Sequence, residues 1–188
     1  FARTPGLGID CCSPAELELA LECGFVEEDV SYTSTSVSDA DLALLARHPR
    51  VVINCDTISQ IRRLARLCPG RRVGLRINPG IGVAYRDVHR LAYAGPQTTK
   101  FGIYEDQFDE ALRVAREGGL VVAGLHCHFG WGVSDAQLPT LTPIFERIHA
   151  FVERVGPLEY LNLGGGFGTP LLAGDPSLDL DRLASLVA

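Results

Sequence analysis

The 188-residue sequence predicts an α/β fold built on a parallel sheet. Short runs of β-branched and other apolar residues alternate with segments of helical period, and this βα cycle occurs six times at a spacing of about 25 residues. Such cycles build either a doubly wound sheet or a (β/α)₈ barrel, of which six units would be an incomplete part. Periodicity alone is compatible with both. In both folds a ligand binds beyond the carboxyl ends of the strands.

Helix start and stop signals place the elements in order. Ser13, Pro14 and Glu16 suit the N-cap, N1 and N3 positions of a first helix, and Thr57 with Gln60 forms a second capping pair. A long loop is expected over Asn78–Thr99, and loops of that length are usually functional. The predicted strands are Leu7–Cys12, Val30–Ser34, Val51–Cys55, Arg72–Ile77, Leu120–Cys127 and Glu159–Leu163. The predicted helices are Pro14–Cys23, Asp39–Arg47, Ile58–Leu67, Glu105–Glu117, Thr140–Val155 and Asp179–Val187.

Composition favours a small-molecule partner. The chain is 46% hydrophobic with a net charge of −6, and its charges are interspersed, so no basic stripe suggests nucleic acid. No apolar run reaches the roughly 18 residues that span a bilayer, and we expect a soluble, cytoplasmic protein. Six cysteines without a CxxC pair predict reduced thiols. The absence of Met indicates that the sequence is a piece of something longer.

The sequence Leu161–Gly168 is the most informative local feature, because an apolar strand runs directly into three glycines. Glycine tolerates positive φ, and successive N–H groups in such a turn form a nest for an anion. We therefore predict that Gly164, Gly165 and Gly166 cradle a phosphate. A tight strand-to-helix turn without a ligand is the alternative.

Two histidines, His126 and His128, lie two residues apart and so on one face of a strand. A zinc site would need a third ligand, and none with convincing spacing is present. We interpret His126 as a satisfied core residue. His128, which is nearer the strand end, is predicted to stack on a planar cofactor.

Charged residues at other strand ends extend the candidate site. Arg76 could meet a carboxylate or phosphate, or form a buried ion pair with Asp10 or Asp56. The two acids could orient a cofactor or bond to helix N-termini. Glu16 is interpreted as a capping residue. Lys100, the only lysine, follows a long loop rather than a strand, which argues against a Schiff-base role.

Taken in order, these motifs resemble the fold-type III pyridoxal-phosphate amino-acid decarboxylases, the family of diaminopimelate and ornithine decarboxylases. The resemblance covers nearly the whole chain and leans towards the diaminopimelate branch. The matching motifs are Gly8–Glu16, Asn54–Thr57, Leu75–Gly80, Thr99–Ile103, His126–Gly130 and Asn162–Gly168.

The resemblance implies a (β/α)₈ barrel of the alanine racemase-like type that binds pyridoxal 5'-phosphate, followed by a C-terminal β-domain. It implies that His128 stacks on the pyridine ring, that Gly164–Gly166 hold the phosphate, and that Arg76, Asp10 and Asp56 line the site. The implied reaction is decarboxylation of an amino acid. The implied assembly is a homodimer.

The chain also departs from the family pattern. The family's Schiff-base lysine lies upstream of the Asp10 motif, so residues 1–188 are expected to be a barrel domain incomplete at both ends and inactive alone. The C-terminal β-domain is expected to be absent. Trp131 stands where the family commonly has Ser, which removes a hydroxyl donor. A non-catalytic protein similar to the antizyme inhibitors is the alternative to an enzyme.

Overall fold

A computed structural model describes residues 6–83, 98–170 and 174–187. Within these residues six strands form one parallel sheet, and each strand is followed by a helix, in agreement with the predicted βα cycles. The strands are β1 (Ile9–Cys11), β2 (Val30–Thr33), β3 (Val52–Cys55), β4 (Arg72–Arg76), β5 (Val121–His126) and β6 (Tyr160–Asn162). The helices are α1 (Pro14–Glu22), α2 (Asp39–Ala46), α3 (Ile58–Leu67), α4 (Glu105–Glu117), α5 (Leu138–Val155) and α6 (Leu180–Val187), with a short 3₁₀ turn at Glu27–Asp29.

The strand order decides between the two folds that the periodicity left open. Each strand pairs in parallel with the next one along the chain, in the order β1-β2-β3-β4-β5-β6. A doubly wound sheet reverses its order at a switch point, whereas a barrel advances by one strand at every crossover. The sheet is therefore six units of a (β/α)₈ barrel.

A hydrogen bond across the inner face shows how strongly the sheet curls. The Tyr160 hydroxyl on β6 lies 3.0 Å from Asn54 Oδ1 on β3. Three inter-strand spacings separate these strands, so a flat sheet would hold them about 14 Å apart. Two intervening glycines, Gly74 and Gly124, leave the space that the Tyr160 side chain fills, because a Cβ on either would overlap it.

The outer face of the sheet carries the hydrophobic core. Residues that alternate with the inward-facing ones point outward and pack against the helices, as expected for a barrel wall. The helices contribute large side chains that are fully buried, among them Leu17, Leu42, Ile61, Phe108 and Leu141. This core fixes the helices outside the barrel and leaves the inner face to polar residues.

Two of the helix caps also hold residues in or next to the cavity wall. Ser13 Oγ accepts from Glu16 N at 3.3 Å, and Glu16 Oε2 accepts from Cys12 N at 2.5 Å. The second cap has the same form, since Gln60 N donates to Thr57 and Asp56 N donates to Gln60 Oε1. In both caps the side chain at N3 accepts a hydrogen bond from the backbone N–H of the residue before the N-cap. The interpretation of Glu16 as a capping residue is therefore confirmed.

Most predicted boundaries agree with the structure to within two residues. α5 begins at Leu138 rather than Thr140 and continues through Pro143, and β1 is shorter than predicted. Of the predicted loop, residues 84–97 lie outside the described part of the chain. All six cysteines are free, with Cys11, Cys55 and Cys127 buried. The helices within residues 6–83, 98–170 and 174–187 include none long and apolar enough to span a bilayer.

Candidate functional site

A cavity of about 400 Å³ opens at the carboxyl ends of the strands. Side chains from β1, β2, β4 and β5 line it, and the loop after β6 closes one side. This is the position that the barrel fold predicts for a ligand. The lining residues are Asp10, Cys12, Thr33, Ser34, Thr35, Arg76, Phe101, His126, His128 and Gly164.

The glycine run after β6 forms a tight turn in the left-handed region. Gly164, Gly165 and Gly166 have φ values of 79°, 77° and 81°, which L side chains rarely adopt. A Cβ at Gly164 would overlap the Cys127 carbonyl, and one at Gly166 would overlap the Gly130 carbonyl. A Cβ at Gly165 would meet nothing within 4 Å, so the middle of the turn faces open space.

The side chain of Asn162 holds the start of this turn. Asn162 Oδ1 accepts a hydrogen bond from Gly164 N at 2.8 Å. The Gly164 amide is thus already engaged within the protein. The turn is also joined to the loop after β5, because Val133 N donates to Gly166 O at 3.1 Å. The backbone shape of the glycine run is therefore set before any ligand binds.

His128 is hydrogen-bonded to the same turn. Its Nδ1 lies 3.1 Å from the carbonyl oxygen of Gly164, and the ring is half-buried. Because a carbonyl only accepts, the neutral ring carries its proton on Nδ1. Burial lowers the pKa of His128, the Gly164 carbonyl acts against that shift, and the Arg76 cation adds to it. The ring is consequently a neutral flat surface held beside the glycine run.

Arg76 forms a buried ion pair and lines the cavity at the same time. Its Nη1 lies 2.9 Å from Asp56 Oδ1, and the side chains are only 9% and 1% exposed. Gly102 N donates to the same oxygen at 3.2 Å, and the guanidinium lies 4.7 Å from the centre of the Phe101 ring. Burial raises the pKa of Asp56, while Arg76 and the Gly102 amide oppose that rise. Of the two acids predicted as partners, Asp56 is the one that binds Arg76.

The interpretation of His126 as a satisfied core residue is wrong in one respect. The ring is buried, with 6% exposure, yet it lines the cavity, and its Nδ1 has no hydrogen-bond partner within the described residues. Burial together with the Arg76 cation lowers the pKa of His126 to about 4. His126 is therefore a second neutral imidazole in the cavity wall. Its position two residues before His128, on the same strand face, was the available signal.

The remaining candidates fall at different distances from the cavity. Asp10 is exposed and contributes to the lining, whereas Asp56 lies behind Arg76. Lys100 is exposed, and its Nζ lies 5.2 Å from the centre of the Phe101 ring. No group of three metal-ligating side chains occurs in the part of the chain that is described.

Besides His126, sequence reasoning missed five lining residues. Four of them follow from strand position: Thr33 lies on the inner face of β2, Ser34 and Thr35 continue from β2, and Cys12 directly follows β1. A run of hydroxyl residues at the end of the predicted strand Val30–Ser34 was the signal that could have identified three of them. Phe101 depended on how the loop after β4 folds back, which no local pattern reveals.

A barrel of sequential parallel strands, with a polar cavity at their carboxyl ends and a glycine turn beside a neutral histidine, defines a class of domain whose cavity suits a small anionic ligand. The chain belongs to the family described as pyridoxal-dependent decarboxylase, pyridoxal binding domain, which matches residues 1–188. Pyridoxal phosphate is accordingly the cofactor of this domain. The resemblance drawn from the sequence motifs is thereby confirmed.

Curated relatives are diaminopimelate decarboxylases. The chain is 35% identical to that of Methanothermobacter thermautotrophicus over 189 residues, covering 97% of this chain and 42% of the relative. It is 29% identical to that of Streptomyces coelicolor, covering 98% and 41%. The chain thus spans less than half the length of these relatives.

Solved structures give the same fold. A crystal structure of diaminopimelate decarboxylase superimposes with a TM-score of 0.83 at 26% identity, covering 97% of this chain and 43% of that one. The enzyme from M. jannaschii, in co-complex with L-lysine, superimposes with a TM-score of 0.82 at 23% identity, covering 97% and 43%. These matches confirm that the six βα units are part of a barrel of the pyridoxal-phosphate decarboxylase type.

Proposed function

We propose that the protein containing this chain is a pyridoxal-phosphate-dependent decarboxylase that acts on diaminopimelate or a closely related amino acid. The observation that carries the proposal is the glycine turn with His128 bonded to it at the mouth of the barrel. The names of the curated relatives support the choice of diaminopimelate.

The turn suits the phosphate of the cofactor. Gly164 N already donates to Asn162, so the amides of Gly165 and Gly166 are the ones proposed to meet the phosphate oxygens, with Gly164 shaping the turn. Glycine is needed at both ends because a Cβ at Gly164 or Gly166 would overlap neighbouring backbone. Backbone N–H groups in such a nest bind an anion without adding a titratable charge.

His128 is proposed to support the pyridine ring. A neutral imidazole presents a flat face without the cost of burying a charge, and its bond to Gly164 O fixes the ring plane relative to the turn. The lowered pKa of His128 keeps the ring neutral at neutral pH.

Arg76 is proposed to provide the fixed positive charge of the site. Asp56 accepts a hydrogen bond from Nη1 of the guanidinium, which leaves the other N–H groups of Arg76 for an anionic oxygen of the ligand. Asp10, on the exposed rim, is proposed to orient the cationic part of the ligand. When bound, the cofactor supplies an electron sink for the charge left on the substrate as carbon dioxide departs.

The test is to purify the complete protein that carries this chain and to measure bound pyridoxal phosphate and carbon dioxide release from diaminopimelate. We expect stoichiometric cofactor and turnover. His128→Ala should weaken cofactor binding, whereas His149→Ala, which removes an exposed histidine of α5, should not. Failure to bind the cofactor would contradict the proposal. Binding without turnover on diaminopimelate, ornithine or lysine would support a non-catalytic binding protein instead.

Two further expectations rest on the resemblance and the composition alone. We propose that the protein is a homodimer and that it is cytoplasmic. Light scattering on the purified complete protein tests the first, and fractionation of the source cells tests the second.

A further inference from the structure

A row of residues crosses the inner face of the barrel just below the cavity. Thr33, Asn54, Gly74, Gly124 and Tyr160 are successive register partners on β2, β3, β4, β5 and β6. The two glycines leave room for the Tyr160 side chain to cross β5 and β4 and reach Asn54. Tyr160 thereby connects the glycine-turn side of the barrel with the hydroxyl-lined side.

The hydrogen bonds in this row have a direction. The Tyr160 hydroxyl donates to Asn54 Oδ1 at 3.0 Å, and Asn54 Nδ2 donates to Ser31 Oγ at 3.0 Å and to Thr33 Oγ1 at 2.9 Å. The amide uses its oxygen for one donor and its two N–H groups for two acceptors. Burial, with the nearby Cys55 and Asp10, raises the pKa of Tyr160 and keeps its hydroxyl protonated as a donor.

Thr33 stands at the end of this chain of bonds. Its oxygen accepts from Asn54, and in the described part of the chain its own proton has no acceptor. Thr33 is 9% exposed and lines the cavity. A hydroxyl proton that faces a cavity and has no protein acceptor is available to an acceptor atom of a ligand. The Arg76 guanidinium in the same cavity favours an acceptor that is negatively charged.

We propose that Thr33 is a ligand-contacting residue whose hydroxyl donates to an anionic oxygen of the bound ligand, and that Asn54 and Tyr160 are positioning residues that hold it as a donor. The inference rests on the proposed function. The anionic oxygen belongs either to the cofactor or to the carboxylate of the amino acid, and the experiment separates these sources.

The first experiment compares Thr33→Val, which keeps the shape and removes the hydroxyl, with Thr33→Ser, which keeps the hydroxyl. Both are made in the complete protein, and the Kd for pyridoxal phosphate and the KM for diaminopimelate are measured. We expect Thr33→Val to weaken one constant by about tenfold, as for a buried hydrogen bond to a charged acceptor, and Thr33→Ser to stay within about threefold of wild type. A changed Kd identifies the cofactor, and a changed KM with an unchanged Kd identifies the substrate. If both constants stay at the wild-type value, the proposal is wrong.

The second experiment separates positioning from general stability. Tyr160→Phe removes the donor to Asn54 without touching Thr33, and we expect it to weaken the same constant by about threefold. In the Thr33→Val background Tyr160→Phe should have no further effect, because the hydroxyl that it orients is gone. Effects that simply multiply would show that Tyr160 acts only through packing and would overturn its positioning role. Should Thr33→Val not fold, Thr33→Ala replaces it in the cycle.

The two proposals fail in different ways. A wild-type protein that binds no pyridoxal phosphate contradicts the proposed function, and the role of Thr33 falls with it. A wild-type protein that binds the cofactor and turns over diaminopimelate, with Thr33→Val indistinguishable from it in both constants, contradicts only the role of Thr33.

Discussion

Arg76 can be buried because two neighbours and access to the cavity reduce the cost of its charge. Asp56 supplies the counter-charge, the Phe101 ring lies 4.7 Å from the guanidinium carbon, and the cavity leaves part of the group accessible to a ligand. Burial lowers the pKa values of both cavity histidines, and the Arg76 cation adds to that effect. Arg76 thus helps to keep the imidazoles neutral while it offers a positive charge of its own.

Removing Arg76 should lower the stability of the fold, because it leaves the buried Asp56 carboxylate without its counter-charge. We expect Arg76→Met to lower the free energy of unfolding by about 3–5 kcal/mol, as for other broken buried pairs. The double variant Asp56→Asn with Arg76→Met should recover much of the loss, since Asn still accepts from Gly102. Urea denaturation of the complete protein measures both.

The matched control for this prediction is an exposed ion pair. Arg113 and Glu117 on α4 lie 2.6 Å apart with side chains 53% and 61% exposed. Arg113→Met should cost only about 0.3–0.5 kcal/mol. Equal losses of unfolding free energy for the two arginine variants would show that breaking the buried Arg76–Asp56 pair costs no more than breaking an exposed pair.

β6 and its turn are the element on which the site depends most. Tyr160 bonds to β3, Asn162 caps the turn, and the carbonyl of Gly164 accepts from His128. The period of two places Tyr160 and Asn162 on one face of β6, and Gly164 follows them in the turn. One short segment therefore joins the barrel interior, the glycine turn and His128.

Alanine substitutions in the turn should separate backbone strain from overlap. Gly165→Ala imposes a positive φ on an L residue but has open space, so we expect a loss of about 1–2 kcal/mol. Gly166→Ala adds overlap with the Gly130 carbonyl, and we expect a loss at least about 1 kcal/mol larger. Denaturant midpoints at equal m-values measure the difference. A Gly165→Ala variant as unstable as Gly166→Ala would show that the overlap contributes nothing.

At the scale of the whole molecule, the barrel separates an apolar wall from a polar interior. Helices cover the outer face, and the inner face carries polar residues in two register rows, Asn54 with Tyr160 and Arg76 with His126. Buried polar groups make the stability of the fold depend on their protonation. The cavity is therefore part of the global folding equilibrium and not only a ligand site.

His126 should make stability fall in mild acid. Its pKa is about 4 in the folded protein and about 6.5 in an unfolded chain, so the unfolded state takes up the proton first as pH falls. The stability is fully present above pH 6.5 and is lost between that pH and 4. From pH 7 to pH 5 we expect a loss of about 2 kcal/mol from this group, measured by urea denaturation.

Variants of the two histidines test the source of this pH dependence. The charged and titratable groups facing His126 are Arg76 on β4, Asp10 on β1 and His128 after β5. His126→Asn should flatten the pH dependence, and His149→Asn, on the exposed face of α5, should leave it unchanged. A His126→Asn protein with the wild-type slope would assign the pH dependence to other groups.

The sequence by itself determined the elements and most of the candidate site. Hydrophobic period and capping residues predicted six strands and six helices, because those signals act within a few residues. The glycine run, His128 and Arg76 were identifiable because their residue types at strand ends suit anion and ring binding. The roles of these residues as ligands stay predictions until the cofactor is measured.

Only the tertiary structure decided the barrel order, the choice of Asp56 over Asp10 as the partner of Arg76, and the place of His126 in the cavity wall. It also revealed the row from Tyr160 to Thr33, whose ends lie more than 120 residues apart along the chain. The physical reason is the curl of the sheet. Contacts across the interior depend on the angles between several strands and on glycines that make room for a distant side chain, and no local pattern contains that information.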